Sequence, residues 1–437
     1  MADIITGRES YRGDQLAVEL HYVPYFLDEL ETFGTRWRVA DRNEALRLAL
    51  LEPEQPGAAL ITDRAADRPA MVARARALRH RTHPGADPGT GGEDPPDLDV
   101  VLAELRDRAR QRYQGWPGPA IGKVRLVHDV HGSPHIGGDG DPVQATPEEA
   151  VLPPRSPRAR PIRLGVLDSG MYDHPALRGR YLVESDAALP ARPPDWTAAQ
   201  GHATFMVGVA LQKAPDAEVV VRSVLDRLGT ASSWEVAKKM VAFRGAVDVL
   251  SMSFAATTPD GERPLILGRA VEYLDPEVVM VAADENRPGP SAAGRPDAPA
   301  REALEPYTPG WPAACHEVIG VGADDQDGKN APFSPDLPWI SLRALGVQVP
   351  SAFLEGRVRF VRLNQEGQEE DHGGWTFDVP YARWNGCSIA TAKVAGAIAA
   401  IASDDGVTAR EAAAALLDPP ARRSPAYERV TADIRVP

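Results

Sequence analysis

Three side chains with complementary acid–base chemistry stand in separate segments of this 437-residue chain: Asp168, His202 and Ser388. A serine hydroxyl becomes a nucleophile when an imidazole accepts its proton, and a carboxylate can hold that imidazole in the required tautomer. Taken singly, each residue also fits a structural role, because Asp-Ser-Gly often forms a turn and a His or Ser often caps a helix. The set predicts triad chemistry only if the three segments meet in the fold.

The local sequences predict rigid elements that would present these side chains. Residues 164–167 are apolar and predict a short buried strand that ends at Asp168, where a parallel sheet exposes its functional groups. His202 begins a predicted helix of small and apolar residues. Ser388 follows Trp384-Asn-Gly-Cys and begins an Ala-rich helix without proline, so its hydroxyl is expected at the positive end of a helix dipole.

The order Asp, His, Ser with these local sequences resembles the subtilisin-like serine peptidases, the subtilase family, over about residues 162–403. Residues 248–254 look like the family's substrate-binding strand, and residues 307–323 look like the strand before Phe333-Ser334. The resemblance implies an α/β fold with a mostly parallel sheet of about seven strands flanked by helices. It also implies a serine endopeptidase that acts through an acyl-enzyme and needs no metal or other cofactor.

Asn286 is the fourth expected catalytic residue. Residues 277–286 predict a buried strand and a polar turn, and they align without a gap on the family's strand that ends in Ala-Gly-Asn. The resemblance therefore gives Asn286 the role of hydrogen-bond donor to the negative oxygen of the tetrahedral intermediate. The alternative is a turn asparagine that tolerates unusual backbone dihedrals.

The resemblance also places a pocket for the side chain that precedes the scissile bond. Asp284 and Glu285 replace small residues of the family in one wall, which predicts an acidic pocket and a preference for Lys or Arg. The alternatives are a solvated turn and neutralisation by Arg287. Replacement of the family's glycines after Ser253 predicts a narrower substrate range. The expected substrate-binding residues are Ser253, Phe254, Ala255, Ala283, Asp284 and Glu285.

Cys387 stands where the family often has threonine. Its position beside Ser388 predicts either sensitivity to thiol reagents or inert buried packing. Other potential metal ligands are two histidine groups, which fit loops or surface better than a metal site: His128, His131 and His135, and His80 and His83.

Composition limits the partners and the compartment. A net charge of -14 with a sequence pI near 5.3 disfavours nucleic acid, because phosphate binding requires basic surface. Two cysteines provide no disulfide framework, the N-terminus lacks signal-peptide features, and no run of 18 apolar residues occurs. We expect a cytoplasmic enzyme acting on a protein or peptide, with no nucleic-acid or membrane partner and no calcium loop.

The chain is long enough for more than one domain. We expect an N-terminal accessory or propeptide-like domain (1–136), an exposed Gly/Pro/Arg-rich linker (137–161) and a peptidase domain (162–437). The first is predicted as a small α/β or α+β unit with strands at 16–22, 58–61 and 118–130 and helices at 27–33, 44–51, 69–79 and 98–112. It is either an inhibitory propeptide, with Arg155, Arg158 or Arg160 as a cleavage site, or a module that recruits substrate or a partner protein.

Two inserted segments are predicted near the cleft: a loop at 287–301 and a hairpin within 353–384. They favour a specific intracellular substrate, such as a co-produced peptide that is matured or a signalling or defence protein that is cleaved. The rival hypotheses are a dormant or inactive binding protein that keeps the fold, and an esterase for small acyl groups.

Overall fold

A computed structural model describes the chain over residues 3–6, 9–62, 67–82, 94–114, 116–129, 140–155, 161–184, 186–189, 195–258, 260–286, 308–363, 368–419 and 423–437. The predicted loop at 287–301, together with Arg158, Arg160, His83, His131 and His135, lies outside these residues, as does the side chain of His80.

An eight-stranded sheet forms the centre of the C-terminal segment. Its inner strands are apolar and buried on both faces, as expected for a parallel sheet covered by helices. All neighbouring strands run parallel except one antiparallel pair, β22 (Ile434–Arg435) with β17 (Ile340–Leu345). The spatial order is β22 (Ile434–Arg435), β17 (Ile340–Leu345), β16 (Val318–Asp324), β14 (Val279–Ala283), β12 (Val249–Met252), β7 (Arg163–Asp168), β10 (Glu218–Ser223) and β8 (Tyr181–Val183).

Helices cover both faces of this sheet. Helix α7 is long and apolar enough to cross a membrane, but 89% of its apolar window is buried inside the fold, which is typical of a core helix. Because a Cβ at Gly396 would lie 2.6 Å from the carbonyl oxygen of Ala210, α7 and α4 pack backbone to backbone. The helices are α4 (His202–Lys213), α5 (Ser233–Val241), α6 (Leu265–Leu274), α7 (Cys387–Asp405), α8 (Ala409–Leu417) and α9 (Pro425–Thr431).

The N-terminal segment is an antiparallel sheet with helices on one face, an α+β arrangement. We call residues 3–129 the N-terminal module. Its own core consists of apolar strand residues packed against apolar residues of the helices, which contribute the larger share. Its elements are β1 (Asp3–Thr6), β2 (Glu9–Glu19), α1 (Val23–Glu31), β3 (Trp37–Asn43), β4 (Leu48–Pro53), α2 (Arg68–Thr82), α3 (Asp97–Arg112) and β5 (Ile121–Asp129).

The module's sheet continues into the C-terminal segment through β5. His128 of β5 is opposite Thr230 of β11 (Thr230–Ser232) and opposite Ala255 of β13 (Phe254–Thr257). Strand β13 in turn pairs with β15 (Gly310–Trp311). The end of β5 therefore lies between two strands of the C-terminal segment, and both pairings are antiparallel.

Two predicted elements of the module are wrong. Residues 44–51 were expected to be helical, but they form a turn and then β4, which pairs with both β2 and β3. A short apolar run such as Leu48-Ala-Leu-Leu does not distinguish a buried strand from a helix by periodicity. Residues 58–61 contain no strand, because their apolar side chains pack as a loop against the helices.

Residues 140–150 of the expected exposed linker are docked on the C-terminal segment, although residues 143, 144 and 146–149 are exposed. Strand β6 (Val143–Gln144) pairs with β21 (Tyr381–Trp384), which also pairs with β18 (Val349–Ala352). Ala145 and Ala150 are buried, and the indole of Trp384 donates a hydrogen bond to the carbonyl of Gly140 at 3.0 Å. Partners far along the chain thus hold this Gly/Pro-rich segment, and local composition does not reveal them.

The predicted hairpin is confirmed as β19 (Gly356–Leu363) and β20 (Glu369–Phe377). Strand β19 also pairs with β9 (Trp196–Thr197), and a short 3-10 turn, Ala198–Gly201, leads from β9 to His202. The insertion therefore supports the segment that enters helix α4.

Candidate active site

Asp168 and His202 form a buried pair at the carboxyl edge of the parallel sheet. Asp168 ends β7, His202 begins α4, and each is 1% exposed. The Nδ1–H of His202 donates to the carboxylate, with Nδ1 2.8 Å from Oδ1 and 2.9 Å from Oδ2. Burial alone would lower the pKa of His202, but the charge and hydrogen bond of Asp168, together with Asp129, raise it above its ordinary value.

The segment that carries Ser388 lies beside this pair. The indole ring of Trp384 meets the His202 imidazole edge to face, with 5.6 Å between ring centroids. Four residues later, Ser388 occupies the first turn of α7 and is buried. Because His202 contacts both Asp168 and Trp384, the beginning of α4, the end of β7 and the segment that leads into α7 lie at one edge of the fold.

Asn286 reaches the same helix start from the end of β14. Its Oδ1 accepts a hydrogen bond from the backbone N–H of Cys387 at 3.0 Å. Its Nδ2 is buried and has no hydrogen-bond partner in the part of the chain that the structure describes. The Asn286 side chain thus uses its Oδ1 acceptor to stabilise the turn before Ser388. Its Nδ2 donor is available to bind another group.

The two groups of expected substrate-binding residues come together near Gly310. Ser253, Phe254 and Ala255 form the passage from β12 into β13, while Ala283, Asp284 and Glu285 lie at the end of β14; all six are buried. A Cβ added to Gly310 would lie 2.9 Å from Asp284 Oδ1 and 3.8 Å from Ala255 Cβ. The bare Gly310 backbone therefore separates the two groups.

Asp129 is a site residue that the sequence did not reveal. It ends β5, its backbone N–H donates to the carbonyl of Gly229 at 2.7 Å, and its carboxylate is one of the charges that raise the pKa of His202. A Cβ at Gly229 would come within 2.1 Å of this carboxylate, so only glycine fits there. The sequence does show apolar alternation that ends at Asp129. It does not show that Asp129 lies near His202, because the strand that pairs with β5 at this point, β13, is more than 100 residues away in the chain.

The thiol of Cys387 is fully buried, and burial is the main cause that raises its pKa to about 12. A protonated, enclosed thiol reacts poorly. The structure therefore favours inert packing over sensitivity to thiol reagents.

No group of three or more His, Cys, Asp or Glu side chains is arranged to hold a metal ion within the described ranges. His128, which belongs to one of the histidine groups, instead forms a hydrogen bond to Ser10 Oγ at 2.8 Å.

A model of the Subtilase family matches residues 160–425, more than half of the chain. The chain belongs to the subtilase family. This confirms the fold class expected from the sequence. The matched region of this subtilase includes Asp168, His202, Asn286 and Ser388, whereas the N-terminal module precedes it.

Individual relatives agree with this assignment. This subtilase is 27% identical over 251 residues to a thermostable alkaline protease of Halalkalibacterium halodurans, covering 55% of this chain and 56% of that protein. It is 27% identical over 260 residues to an intracellular serine protease of Paenibacillus polymyxa, covering 56% and 67%. The chain thus spans between about half and two thirds of these relatives. The solved prenylagaramide maturation protease PagA matches 61% of this chain and 87% of its own, with 19% identity and a TM-score of 0.43.

Proposed function

We propose that this subtilase is a serine endopeptidase. The observation that carries the proposal is the buried Asp168–His202 pair at the sheet edge where the Ser388 helix begins. An imidazole whose Nδ1–H is held by a carboxylate presents Nε2 as a base, which is the arrangement that activates a neighbouring serine.

The proposed reaction uses these groups in two steps. His202 Nε2 takes the proton of Ser388 as Oγ bonds to the peptide carbonyl carbon, and the same proton then goes to the departing amine as the C–N bond breaks. Water attacks the resulting ester, again giving a proton to His202, which returns it to Ser388 Oγ as the acid product leaves. Asn286 Nδ2–H and the backbone N–H of Ser388 stabilise the oxyanion in both steps.

The N-terminal module gives the proposal a second part, that the peptidase is held latent in this chain. Strand β5 lies between β11 and β13, and β13 carries the expected substrate-binding residues Phe254 and Ala255. Asp129 at its end is within electrostatic range of His202. These contacts support an inhibitory role for the module over substrate recruitment. They also favour, as a second candidate function, a dormant peptidase that serves as a binding protein.

A specific intracellular protein or peptide remains the proposed substrate. Support comes from the similarity to an intracellular serine protease and from the two cysteines, both buried free thiols. The β19–β20 hairpin, which supports the segment before His202, adds a structure that limits access to the site.

A fluorophosphonate probe tests the catalytic proposal, because it phosphonylates an activated serine. We expect the full-length protein to be labelled once and Ser388→Ala not at all, as read by intact mass spectrometry. Ser251→Ala is a matched control, since Ser251 is buried on β12 and its hydroxyl has no hydrogen-bond partner among the described residues. It should be labelled like the native protein.

The same assay separates latency from loss of catalysis. Asp129→Ala combined with Arg125→Ala removes the charge near His202 and the bonds from Arg125 to Glu9 and to the carbonyl of Thr257. Labelling that becomes faster after these changes would support a latent peptidase, and an unchanged labelling rate would reject latency. No labelling of either protein would reject the endopeptidase and leave the binding protein.

A further inference from the structure

A segment outside the matched family region lies against the candidate active site. Residues 140–150, here called the docked segment, precede residues 160–425, which the Subtilase model matches. Ala145 and Ala150 of this segment are buried, and the backbone N–H of Ala145 donates to the carbonyl of Tyr381 at 3.1 Å. The contacts of the docked segment therefore lie outside what membership of the family implies.

The docked segment completes a small sheet beside the site. Its strand β6 pairs antiparallel with β21, whose other edge pairs with β18. Gln144 Oε1 accepts a hydrogen bond from the backbone N–H of Asp378 at 3.0 Å, and the Glu149 carboxylate forms an ion pair with Arg383. Strand β21 is thus held from both sides, and one of its two neighbours comes from the docked segment.

Trp384, the last residue of β21, connects the docked segment to the proposed base. Its indole N–H donates to the carbonyl of Gly140 at 3.0 Å, and its ring meets the His202 imidazole with 5.6 Å between centroids and an interplanar angle of 86°. Phe205 and Phe353 pack against the same indole, each at 5.7 Å. Trp384 is 2% exposed, so its N–H requires an acceptor inside the fold, and Gly140 supplies one.

The His202 ring needs a restraint besides its bond to Asp168. That bond holds the ring at Nδ1, and a ring held at one atom can still tilt about it. A tilt would move Nε2, the atom proposed to take the proton of Ser388, and a displacement of about 1 Å can cost on the order of 100-fold in rate. The edge-to-face contact with Trp384 limits this tilt. The orientation of the base therefore depends on the orientation of the indole.

We propose that Trp384 is a positioning residue for His202 and that the docked segment, through the Gly140 carbonyl, keeps Trp384 in place. The inference rests on the proposed endopeptidase function and adds a contact on which that function depends. It assigns residues 140–150 to the peptidase rather than to a removable module. Any boundary of a removable propeptide then lies before Gly140 rather than at Arg155.

Fluorophosphonate labelling of the full-length chain tests whether the docked segment acts on the base. Ala145→Asp places a carboxylate at a position that is 2% exposed and should loosen the segment from β21. We expect labelling of Ser388 to slow about three- to tenfold, the range of one hydrogen bond. Val143→Asp adds the same charge to the same segment where the side chain is 38% exposed, and it should label at the native rate. Asp418→Asn, an exposed substitution at the end of α8, should also keep the native rate.

A double-mutant cycle shows whether the effect passes through Trp384. Trp384→Phe keeps an aromatic ring against His202 but removes the N–H that binds Gly140. It should slow labelling by a similar factor, and adding Ala145→Asp to it should slow labelling little further.

Proton NMR gives a second readout that a loss of stability alone would not change. The low-field resonance of the His202 Nδ1–H, which is held by Asp168, should broaden in Ala145→Asp and in Trp384→Phe, because a tilting ring exposes this proton to exchange. It should stay sharp in Val143→Asp.

A milder variant serves if Ala145→Asp does not fold. Gln144→Ala combined with Glu149→Ala removes the bond to the Asp378 N–H and the ion pair with Arg383 from exposed positions. It should slow labelling in the same direction, by at least about twofold.

Each result either supports or overturns the positioning role. An unchanged or faster rate in the loosened variants, or independent effects of the two changes in the cycle, would overturn it, while labelling of Ser388 in the native protein upholds the peptidase. Absence of labelling both in the native protein and in the protein with Arg125→Ala and Asp129→Ala would reject the peptidase and this inference with it.

Discussion

The two large sheets place their functional residues in different ways. In the parallel sheet, Asp168 and Asn286 follow the carboxyl ends of β7 and β14, so the topology alone brings their segments to one edge. In the antiparallel sheet, the charge of Asp129 influences His202 because β5 inserts between β11 and β13, which come from distant parts of the chain. Local strand ends thus bring the candidate catalytic residues to one edge, while long-range register places β5 beside them.

The largest predicted effect tests the catalytic edge. Asn286→Asp keeps the acceptor for the Cys387 N–H and replaces the Nδ2 donor with an anion. We expect turnover to fall by about 100- to 1,000-fold, a size known for the equivalent donor in subtilisin rather than obtained from this structure. Steady-state kinetics should show the loss in kcat with little change in KM, and thermal unfolding should be nearly unchanged. An unaffected kcat would mean that Asn286 only braces the turn before Ser388.

The next effect concerns stability around the same edge. His174 is buried, its Nδ1 accepts from the Ala176 N–H at 3.1 Å, and its Nε2–H donates to the carbonyl of Pro380 at 2.7 Å. The bond from Ala176 requires an unprotonated Nδ1, whereas the bond to Pro380 forms in either protonation state and raises the pKa; burial is the main cause that nevertheless lowers the pKa of His174 to about 4. Because unfolded histidine titrates near 6.5, this contribution is present above pH 6.5 and decreases as pH falls toward 4, by about 3 kcal/mol in all.

Urea unfolding of the native protein and His174→Gln across this pH range measures that contribution. The variant should be less stable at pH 7 and should show a shallower loss between pH 6.5 and 4. Parallel pH dependences for both proteins would assign the acid sensitivity to other groups.

A smaller effect tests whether the two regions are one cooperative unit. The indole of Trp234 donates to Asp41 of the module at 2.9 Å, and Lys238 Nζ lies 2.9 Å from the same carboxylate oxygen. One hydrophobic cluster joins module residues to α5, α6 and β13. Trp234→Phe should therefore lower the free energy of unfolding by about 1–2 kcal/mol within a single transition. Trp116→Phe, the same substitution at an indole that is 77% exposed, serves as a control with little effect.

Calorimetry distinguishes the possibilities. A second unfolding transition at lower temperature, and a shift of only that transition in Trp234→Phe, would show that the module unfolds independently. The predicted boundary between residues 136 and 162 would then also be a boundary of cooperativity.

The sequence predicted the elements that carry Asp168 and Ser388 well because the relevant signals are local. The apolar run before Asp168 and the Ala-rich stretch after Ser388 each define an element and its end, and both elements appear as expected. The roles of these residues stay predictions until the labelling experiment is done.

The module was harder to predict because its decisive contacts are not local. Residues 48–51 carry no period that separates strand from helix, and pairing on both sides decides for a strand. Docking of residues 140–150 depends on β21, more than 200 residues later. In the same way, Asp129 becomes a site residue through its register with Phe254, which single-sequence patterns do not encode.

The smallest predicted effect concerns His202, because charged residues of both sheets influence its pKa. Asp168 lies at the end of the parallel-sheet strand β7, and Asp129 lies at the end of strand β5 in the module. The negative charges of both carboxylates raise the pKa of His202. Removing the Asp129 charge in Asp129→Asn should lower the pKa of His202, so a greater fraction of the imidazole is neutral and able to act as base near neutral pH. The pH at half-maximal fluorophosphonate labelling should therefore move downward, while Asp418→Asn leaves it in place. A midpoint that does not move would mean that the charge of Asp129 has no measurable effect on the proposed base, His202. Any inhibition by the module would then come from the pairing of β5 with β11 and β13 alone.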